Sequence, residues 1–136
     1  MNRSWIRRKL TILLLGVIIV GCAGVLPVRD VDNQPIVTAS GKPPAADNVQ
    51  KAIIRAGSQL NMRMSVVRPG VILATYSPRS DFTAVMEVTY DSKAYSIHYK
   101  SSDGLNYDPQ AHTIHKNYNS WVSNLQKRID NELLAL

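Results

Sequence analysis

The sequence contains a single cysteine among 136 residues, and several common functional motifs are absent from it. One cysteine excludes an internal disulfide framework and a zinc site built from several thiolates. There is also no Gly-x-Ser-x-Gly nucleophile motif, no phosphate-binding glycine loop and no internal repeat. What is present is an ordinary globular composition, with 45% apolar and 19% charged residues at a length that suits one domain.

The first residues of the chain have the layout of an export signal. Four basic side chains with no acid nearby stand between positions 3 and 9, and residues 10–20 are apolar except for Thr11 and Gly16. A basic stretch followed by a short apolar one is typical of a secretory signal. These eleven residues are too few to cross ~30 Å of hydrocarbon as a helix. The alternative, a buried core helix, would not begin with four cations and no capping residue.

The end of this segment, Ile19-Val20-Gly21-Cys22, resembles the lipobox of bacterial lipoproteins. The resemblance implies that a diacylglyceryl group is attached to the Cys22 thiol, that the chain is cleaved between Gly21 and Cys22, and that the new amino group is acylated. Two or more acyl chains would anchor the protein stably, because each buried CH₂ contributes ~0.8 kcal/mol. Otherwise Cys22 would be a buried or free thiol. Ala23 stands where enterobacterial lipoproteins retained in the inner membrane carry aspartate, so the resemblance favours the periplasmic face of the outer membrane.

The formal charge of +6 is concentrated at the start of the chain. It comes from 16 basic and 10 acidic residues, and four of the basic residues lie in the predicted signal. Removal of the signal leaves twelve basic and ten acidic residues, without a basic stripe along any predicted element. Nucleic-acid binding, which uses a concentrated basic surface, is therefore not expected.

Residues 22–46 are predicted to form a flexible tether after the signal at 1–21. They contain four of the seven prolines and show no sustained period of 2 or 3.6. A random coil of this length reaches about 25–30 Å. The alternative is that some of its apolar residues add a strand to the domain: Val25, Leu26, Val28 and Val37.

Residues 47–136 are predicted to form a small α+β domain. The expected elements are a helix near 47–60, strands near 62–68, 71–77, 82–90 and 94–100, and a helix near 115–134. Breaks of two to four residues between the strands are too short for parallel crossovers, so the four strands should form an antiparallel meander. The alternation of apolar and polar residues along the strands places both helices on one face of the sheet. Trp121 lies on the apolar stripe of the last helix and is predicted at the centre of the core, the alternative being a stacking surface for a ligand.

Three histidines suggest a metal site. His112 and His115 are three residues apart with Asp108 nearby, and His98 lies in the fourth predicted strand. Zinc needs three or four converging ligands, and the strand alternation directs His98 away from the helices. We therefore expect no metal site and no cofactor, with surface roles for these histidines or, for His115, a cap on the last helix.

The segment from 95 to 121 is rich in tyrosine and amide side chains. The stretches 95–107 and 114–121 resemble a pattern in small uncharacterised exported proteins of Gram-negative bacteria, a resemblance that covers about residues 50–134 and implies no activity. One interpretation is that these side chains clamp the long loop at 101–113, since buried phenols and amides need hydrogen-bond partners. The other is that they form a recognition surface for an envelope protein or a glycan. The candidate residues are Tyr99, Asn106, Tyr107, Tyr118 and Asn119.

These patterns together predict an outer-membrane lipoprotein that acts as a non-enzymatic, tethered binding or envelope-assembly module. Its expected partners are the membrane, through lipid on Cys22, and an envelope protein or glycan. A sheet edge that accepts a partner strand is a further mode of binding. The alternative is a small periplasmic hydrolase or metal-binding protein that uses His112 and His115.

Overall fold

A computed structural model describes residues 24–136 of the chain. The predicted signal at 1–21, its cleavage site at Gly21 and the proposed lipid attachment site at Cys22 lie outside the described residues. None of the helices in the described part is both long and apolar enough to cross a membrane.

The described residues form seven strands and two helices. In chain order they are β1 (Val25–Pro27), β2 (Val31–Pro35), α1 (Ala46–Gln59), β3 (Arg63–Arg68), β4 (Val71–Arg79), β5 (Phe82–Tyr90), β6 (Ala94–Asp103), β7 (Thr113–His115) and α2 (Lys116–Leu134). Strands β2 to β6 form a five-stranded antiparallel sheet in the order β2-β6-β5-β4-β3. Strands β1 and β7 form a separate antiparallel pair. The α+β class with two helices and antiparallel pairing is thus confirmed, but the expectation of a four-stranded meander is wrong: the large sheet has five strands, and a two-stranded sheet is added.

The fifth strand, β2, and one strand of the added pair, β1, come from the segment for which a flexible tether is expected. Val31 pairs with Ile97 and Pro35 with Ala94, while Leu26 pairs with Ile114. Val28 and Val31 are buried in the main core. These strands contain three and five residues, and their partners lie 59 or more residues away. Such short segments carry no measurable period, because their pairing is made by backbone groups and only one residue of the two strands, Val31, is buried.

Both helices pack on one face of the large sheet. Ala84, Met86 and Val88 of β5 face them and are fully buried, as the alternation predicts. The helices also contact each other, and Glu132 of α2 accepts hydrogen bonds from Arg55 and Gln59 of α1 at 2.9 and 2.8 Å. These hydrogen bonds to its charged form hold the pKa of the Glu132 carboxyl below its usual value.

The expectation that Trp121 is central to the core is wrong. The fully buried residues of α2 lie on a stripe at spacings of three and four: Tyr118, Val122, Leu125, Ile129 and Leu133. Trp121 lies beside this stripe and is only partly buried, with its ring edge-on to Tyr76 at a centroid distance of 4.9 Å. A helical period identifies the apolar stripe, but whether a residue on its border is covered depends on the neighbouring strand.

Candidate functional site

An open cleft of about 400 Å³ lies between the β4–β5 hairpin and the N-terminal end of α2. This volume falls in the range of small-molecule sites. Most of the lining is apolar, with a guanidinium, an imidazole and an amide among it. The residues that line this cleft, called here the Trp121 cleft, are Pro78, Arg79, Phe82, Leu105, His115, Asn117 and Trp121.

Aromatic contacts hold the walls of the Trp121 cleft. Tyr76 packs edge-on against Trp121 from β4. Across the hairpin turn, the guanidinium of Arg79 lies 4.5 Å from the centre of the Phe82 ring and 3.3 Å from a carboxylate oxygen of Asp81. A cation above an aromatic face is attracted by the ring quadrupole. Arg79 is exposed at the rim, where its remaining N–H groups are available to a bound anion.

His115 joins the cleft to the first described residues. Its Nδ1 accepts a hydrogen bond from the backbone N–H of Asn117 at 3.2 Å, which confirms it as the cap of α2. When Nδ1 accepts this bond in the neutral ring, the proton is on Nε2, and His115 is one of the residues that line the cleft. A Cβ on Gly24 would lie 3.9 Å from this Nε2, and the Gly24 carbonyl accepts a hydrogen bond from the N–H of Lys116 at 2.6 Å. The chain thus enters the folded domain directly beside the cleft.

A close backbone approach attaches the loop at 101–113 to the other wall. Gly104 has φ +73° and lies against the hairpin, so that a Cβ there would overlap the carbonyl oxygen of Asp81 and meet the Phe82 ring at 3.0 Å. Glycine tolerates both the positive φ and the close approach. The next residue, Leu105, is buried and forms part of the cleft floor.

Three of the five candidate recognition residues lie together, but their rings pack against one another instead of forming an open recognition surface. Tyr99 and Tyr107 are stacked with ring centroids 4.0 Å apart, and Tyr118 meets Tyr99 edge-on at 5.7 Å. The Tyr118 hydroxyl is buried without a hydrogen-bond partner among the described residues. Burial, followed by the negative charge of Asp30, raises the pKa of Tyr118 far above its usual value.

The two candidate amides lie apart from this aromatic cluster. Asn119 accepts from the backbone N–H of Arg29 at 2.9 Å and donates to the carbonyl of Pro27 at 2.9 Å. It therefore fastens the segment between β1 and β2 to α2. Asn106 is exposed, with φ +51°, in the loop at 101–113. The contacts of Tyr99, Tyr107 and Asn119 are those expected of a clamp on the loop and on the N-terminal segment.

The histidines and Asp108 have separate local partners. His98 Nε2 lies 2.6 Å from Asp32 Oδ1 on the face of the sheet away from the helices, and His112 Nε2 lies 3.7 Å from Asp30 Oδ2. Asp108 accepts from two backbone N–H groups of its own turn at 2.8 and 3.1 Å. Within residues 24–136, no group of three or more His, Cys, Asp or Glu side chains is arranged to hold a metal ion.

The edge strand β3 is exposed. Val66 and Val67 are 44% and 53% exposed, and an arginine stands at each end, Arg63 and Arg68. In an antiparallel pair of two such strands in register, arginine would oppose arginine, and like charges opposite each other are destabilising. The edge is therefore protected by charge against pairing with itself.

The Trp121 cleft is not predictable as a site from the sequence. Pro78, Arg79 and Asp81 read as turn residues, and Phe82 as the start of a strand. The available signal in the sequence is an arginine and an aromatic residue three positions apart across a turn, and this signal is weak. Trp121 was the single cleft residue for which a ligand-stacking alternative was open.

Comparison with known proteins does not assign a role to this cleft. No protein-family model, no curated protein and no solved structure matches the chain. The chemistry of the cleft and the N-terminal sequence are therefore the basis for a proposed function.

Proposed function

We propose that the protein is an outer-membrane lipoprotein, held at the periplasmic face by lipid on Cys22, and that it is a non-enzymatic binding module whose ligand occupies the Trp121 cleft. The observation that carries the binding role is the cleft itself, an apolar recess with a cation, an imidazole donor and an amide at its edge. The lipid anchor is supported by the lipobox-like residues 19–22 behind a basic and apolar leader.

The cleft suits an amphipathic ligand with an apolar body and an anionic or hydrogen-bond-accepting head. Phe82, Leu105 and Trp121 offer apolar and aromatic surface to the body. The head would be met by Arg79 and by the Nε2–H of His115, which are both donors. An envelope protein that presents such a side chain or terminus, or a glycan that stacks on Trp121, meets the same requirements.

The anchor is tested by Cys22→Ala. We expect the variant to move from the membrane to the soluble fraction and to lose acyl incorporation, because the thiol that receives the diacylglyceryl group is gone. The measurement is fractionation of cells followed by detection of the protein and of a radiolabelled fatty acid on it.

Ser4→Ala is the matched control, since it changes the same leader and leaves residues 19–22 intact. It should remain in the membrane fraction with its label. If Cys22→Ala also stayed in the membrane and kept the label, the lipid-anchor proposal would be wrong.

The binding role is tested by fluorescence energy transfer from Trp121 to 8-anilinonaphthalene-1-sulfonate, an aromatic anion that matches the cleft. The only other tryptophan, Trp5, lies in the leader that the proposed cleavage removes, so Trp121 is the single donor in the processed protein. We expect saturable transfer, and we expect Arg79→Ala to weaken it about tenfold or more. A hydrogen bond to a charged group contributes about 1.5–3 kcal/mol, and about 1.4 kcal/mol is a factor of ten.

Arg63→Ala is the control for the loss of a positive charge, because Arg63 is exposed on β3 and does not line the cleft. It should leave the transfer unchanged. Equal weakening by both substitutions would mean that the probe responds to net charge, and the cleft would lose its role as the binding site.

A further inference from the structure

A second concave surface, of about 600 Å³, runs along the polar face of α2. Three cations line it, Arg29, Lys116 and Lys127, together with the amides and hydroxyls of that face and the exposed side chain of Leu26. No acidic residue is among those that line it. We call this surface the basic groove. Arg29 precedes the two lysines by 87 and 98 residues, and the lysines are themselves 11 residues apart, so no basic stripe is visible in the sequence.

The charges of the groove are available to a ligand. Lys116 and Lys127 are exposed, and neither makes an ion pair within residues 24–136. Arg29 donates one hydrogen bond, to Gln126 at 3.1 Å, which holds its guanidinium against α2. Leu26 is 48% exposed at the same surface. Neighbouring cations, hydroxyls and one exposed apolar side chain are the groups that meet phosphate and the upper part of an acyl chain.

The position of the chain's N-terminal end brings the groove close to the proposed anchor. Val25 pairs with His115, and the Gly24 carbonyl is bonded to the N–H of Lys116, the first residue of α2. Cys22 precedes Gly24 by two residues, so their Cα atoms are at most about 7 Å apart. The reach of 25–30 Å expected from a random coil of residues 22–46 is therefore not available, and lipid on Cys22 would hold Leu26 and Lys116 at the leaflet surface.

We infer that the basic groove binds the headgroup phosphates of anionic phospholipids in the leaflet that holds the anchor. The inference rests on the proposed lipid attachment at Cys22. Each cation near an anionic leaflet strengthens the binding of a protein to the membrane about fivefold. Contact through the groove would set the orientation of the domain and place the mouth of the Trp121 cleft beside the membrane, since Asn117 lines both surfaces.

The test is lysine footprinting of the protein purified from cell envelopes and reconstituted into vesicles. Intact mass first establishes whether the chain is cleaved before Cys22 and acylated. Acetylation rates of individual lysines are then compared in vesicles of phosphatidylethanolamine with phosphatidylglycerol and in vesicles of phosphatidylcholine alone. Lys42 and Lys93 are the internal controls, because both are exposed and lie near the C-terminal end of α2, where Ala39 bonds to the carbonyl of Leu134.

We expect Lys116 and Lys127 to react at least about fivefold more slowly on the anionic vesicles, with Lys42 and Lys93 unchanged. High salt should remove the protection by screening it. Lys127→Gln should reduce the protection of Lys116, and Lys42→Gln should not.

Two results would overturn the inference. If the protein is acylated but each of the four lysines reacts at the same rate on both kinds of vesicle, the groove does not contact the membrane and the anchor proposal stands. If the intact mass shows no acyl chains, both the anchor and the groove proposals are wrong. The second result is obtained in nonionic micelles with inorganic phosphate. If phosphate protects Lys116 there as much as the anionic vesicles do, the groove binds a soluble anion instead of lipid.

Discussion

Gly104→Ala is expected to lower the free energy of unfolding by about 3–5 kcal/mol. The residue has φ +73°, and an L side chain in this region costs about 1–3 kcal/mol. The added Cβ would also overlap the Asp81 carbonyl oxygen and press on the Phe82 ring, and overpacking against backbone costs about 1–3 kcal/mol more. Denaturant unfolding of the two chains measures the difference. Because Gly104 joins the loop to the hairpin of the Trp121 cleft, the variant should also change the fluorescence of Trp121.

Gly41→Ala separates the two causes. Gly41 has a similar φ of +69°, but nothing lies within 4 Å of the Cβ that it would gain. The free energy of unfolding of this variant should therefore fall only by the conformational cost, about 1–2 kcal/mol. If the free energy of unfolding fell equally in both variants, the close approach of Gly104 to Asp81 would be excluded as a cause of the destabilisation.

Above pH 10 the stability of the protein is expected to fall steeply, because two buried tyrosines resist ionisation in the folded state. The pKa of Tyr95 is raised by burial and by its hydrogen bond to Asp130 at 2.6 Å, and the pKa of Tyr118 is raised by burial and by Asp30. In the unfolded chain both ionise near pH 10. The folded state then binds more protons than the unfolded state, so stability is fully present below pH 10 and is lost as the pH rises. Each tyrosine should contribute about 1.4 kcal/mol per pH unit, measured by denaturant unfolding between pH 9 and 12.

Substitution of each tyrosine by phenylalanine distinguishes their roles. Both variants should reduce the alkaline slope by about half. At pH 7 Tyr118→Phe should leave the stability unchanged or raised, since it removes a buried hydroxyl that has no partner among the described residues. Tyr95→Phe should cost about 1.5–3 kcal/mol there, because it removes hydrogen bonds to the Asp130 carboxylate and the Gln126 carbonyl. An equal loss in both variants at pH 7 would show that the Tyr118 hydroxyl is bonded in solution.

The two helices and strands β3 to β6 were predictable within a few residues. Each has a local apolar period, such as Ala84, Met86 and Val88 on one face of β5, and each break has turn residues. Strands β4 and β6 extend two and three residues beyond the expected ends, to Arg79 and Asp103. Those extra residues pair with the neighbouring strand without adding to the buried face.

The candidate site was predictable only in part. His115 as a helix cap followed from its place before the apolar period of α2, and Tyr99, Tyr107 and Tyr118 did come together. The Trp121 cleft did not follow, because it is assembled from the β4–β5 hairpin, the loop at 101–113 and the start of α2. The position of Trp121 beside the buried stripe was decided by Tyr76, 45 residues earlier in the chain.

The sequence alone was sufficient for the features that depend on neighbouring residues: the class of fold, the helices, the strands β3 to β6 and the expectation of an export signal with a lipid site at Cys22. Only the folded chain decided how the N-terminal segment is used. Strands β1 and β2 pair with strands 59 or more positions away, and Asn119 holds the backbone of Pro27 and Arg29. Such contacts are made largely by backbone groups, which every residue carries, so they leave no period in the sequence. The folded chain therefore uses residues 25–35 in its two sheets rather than as a tether, and the same pairing gathers Arg29, Lys116 and Lys127 on one surface.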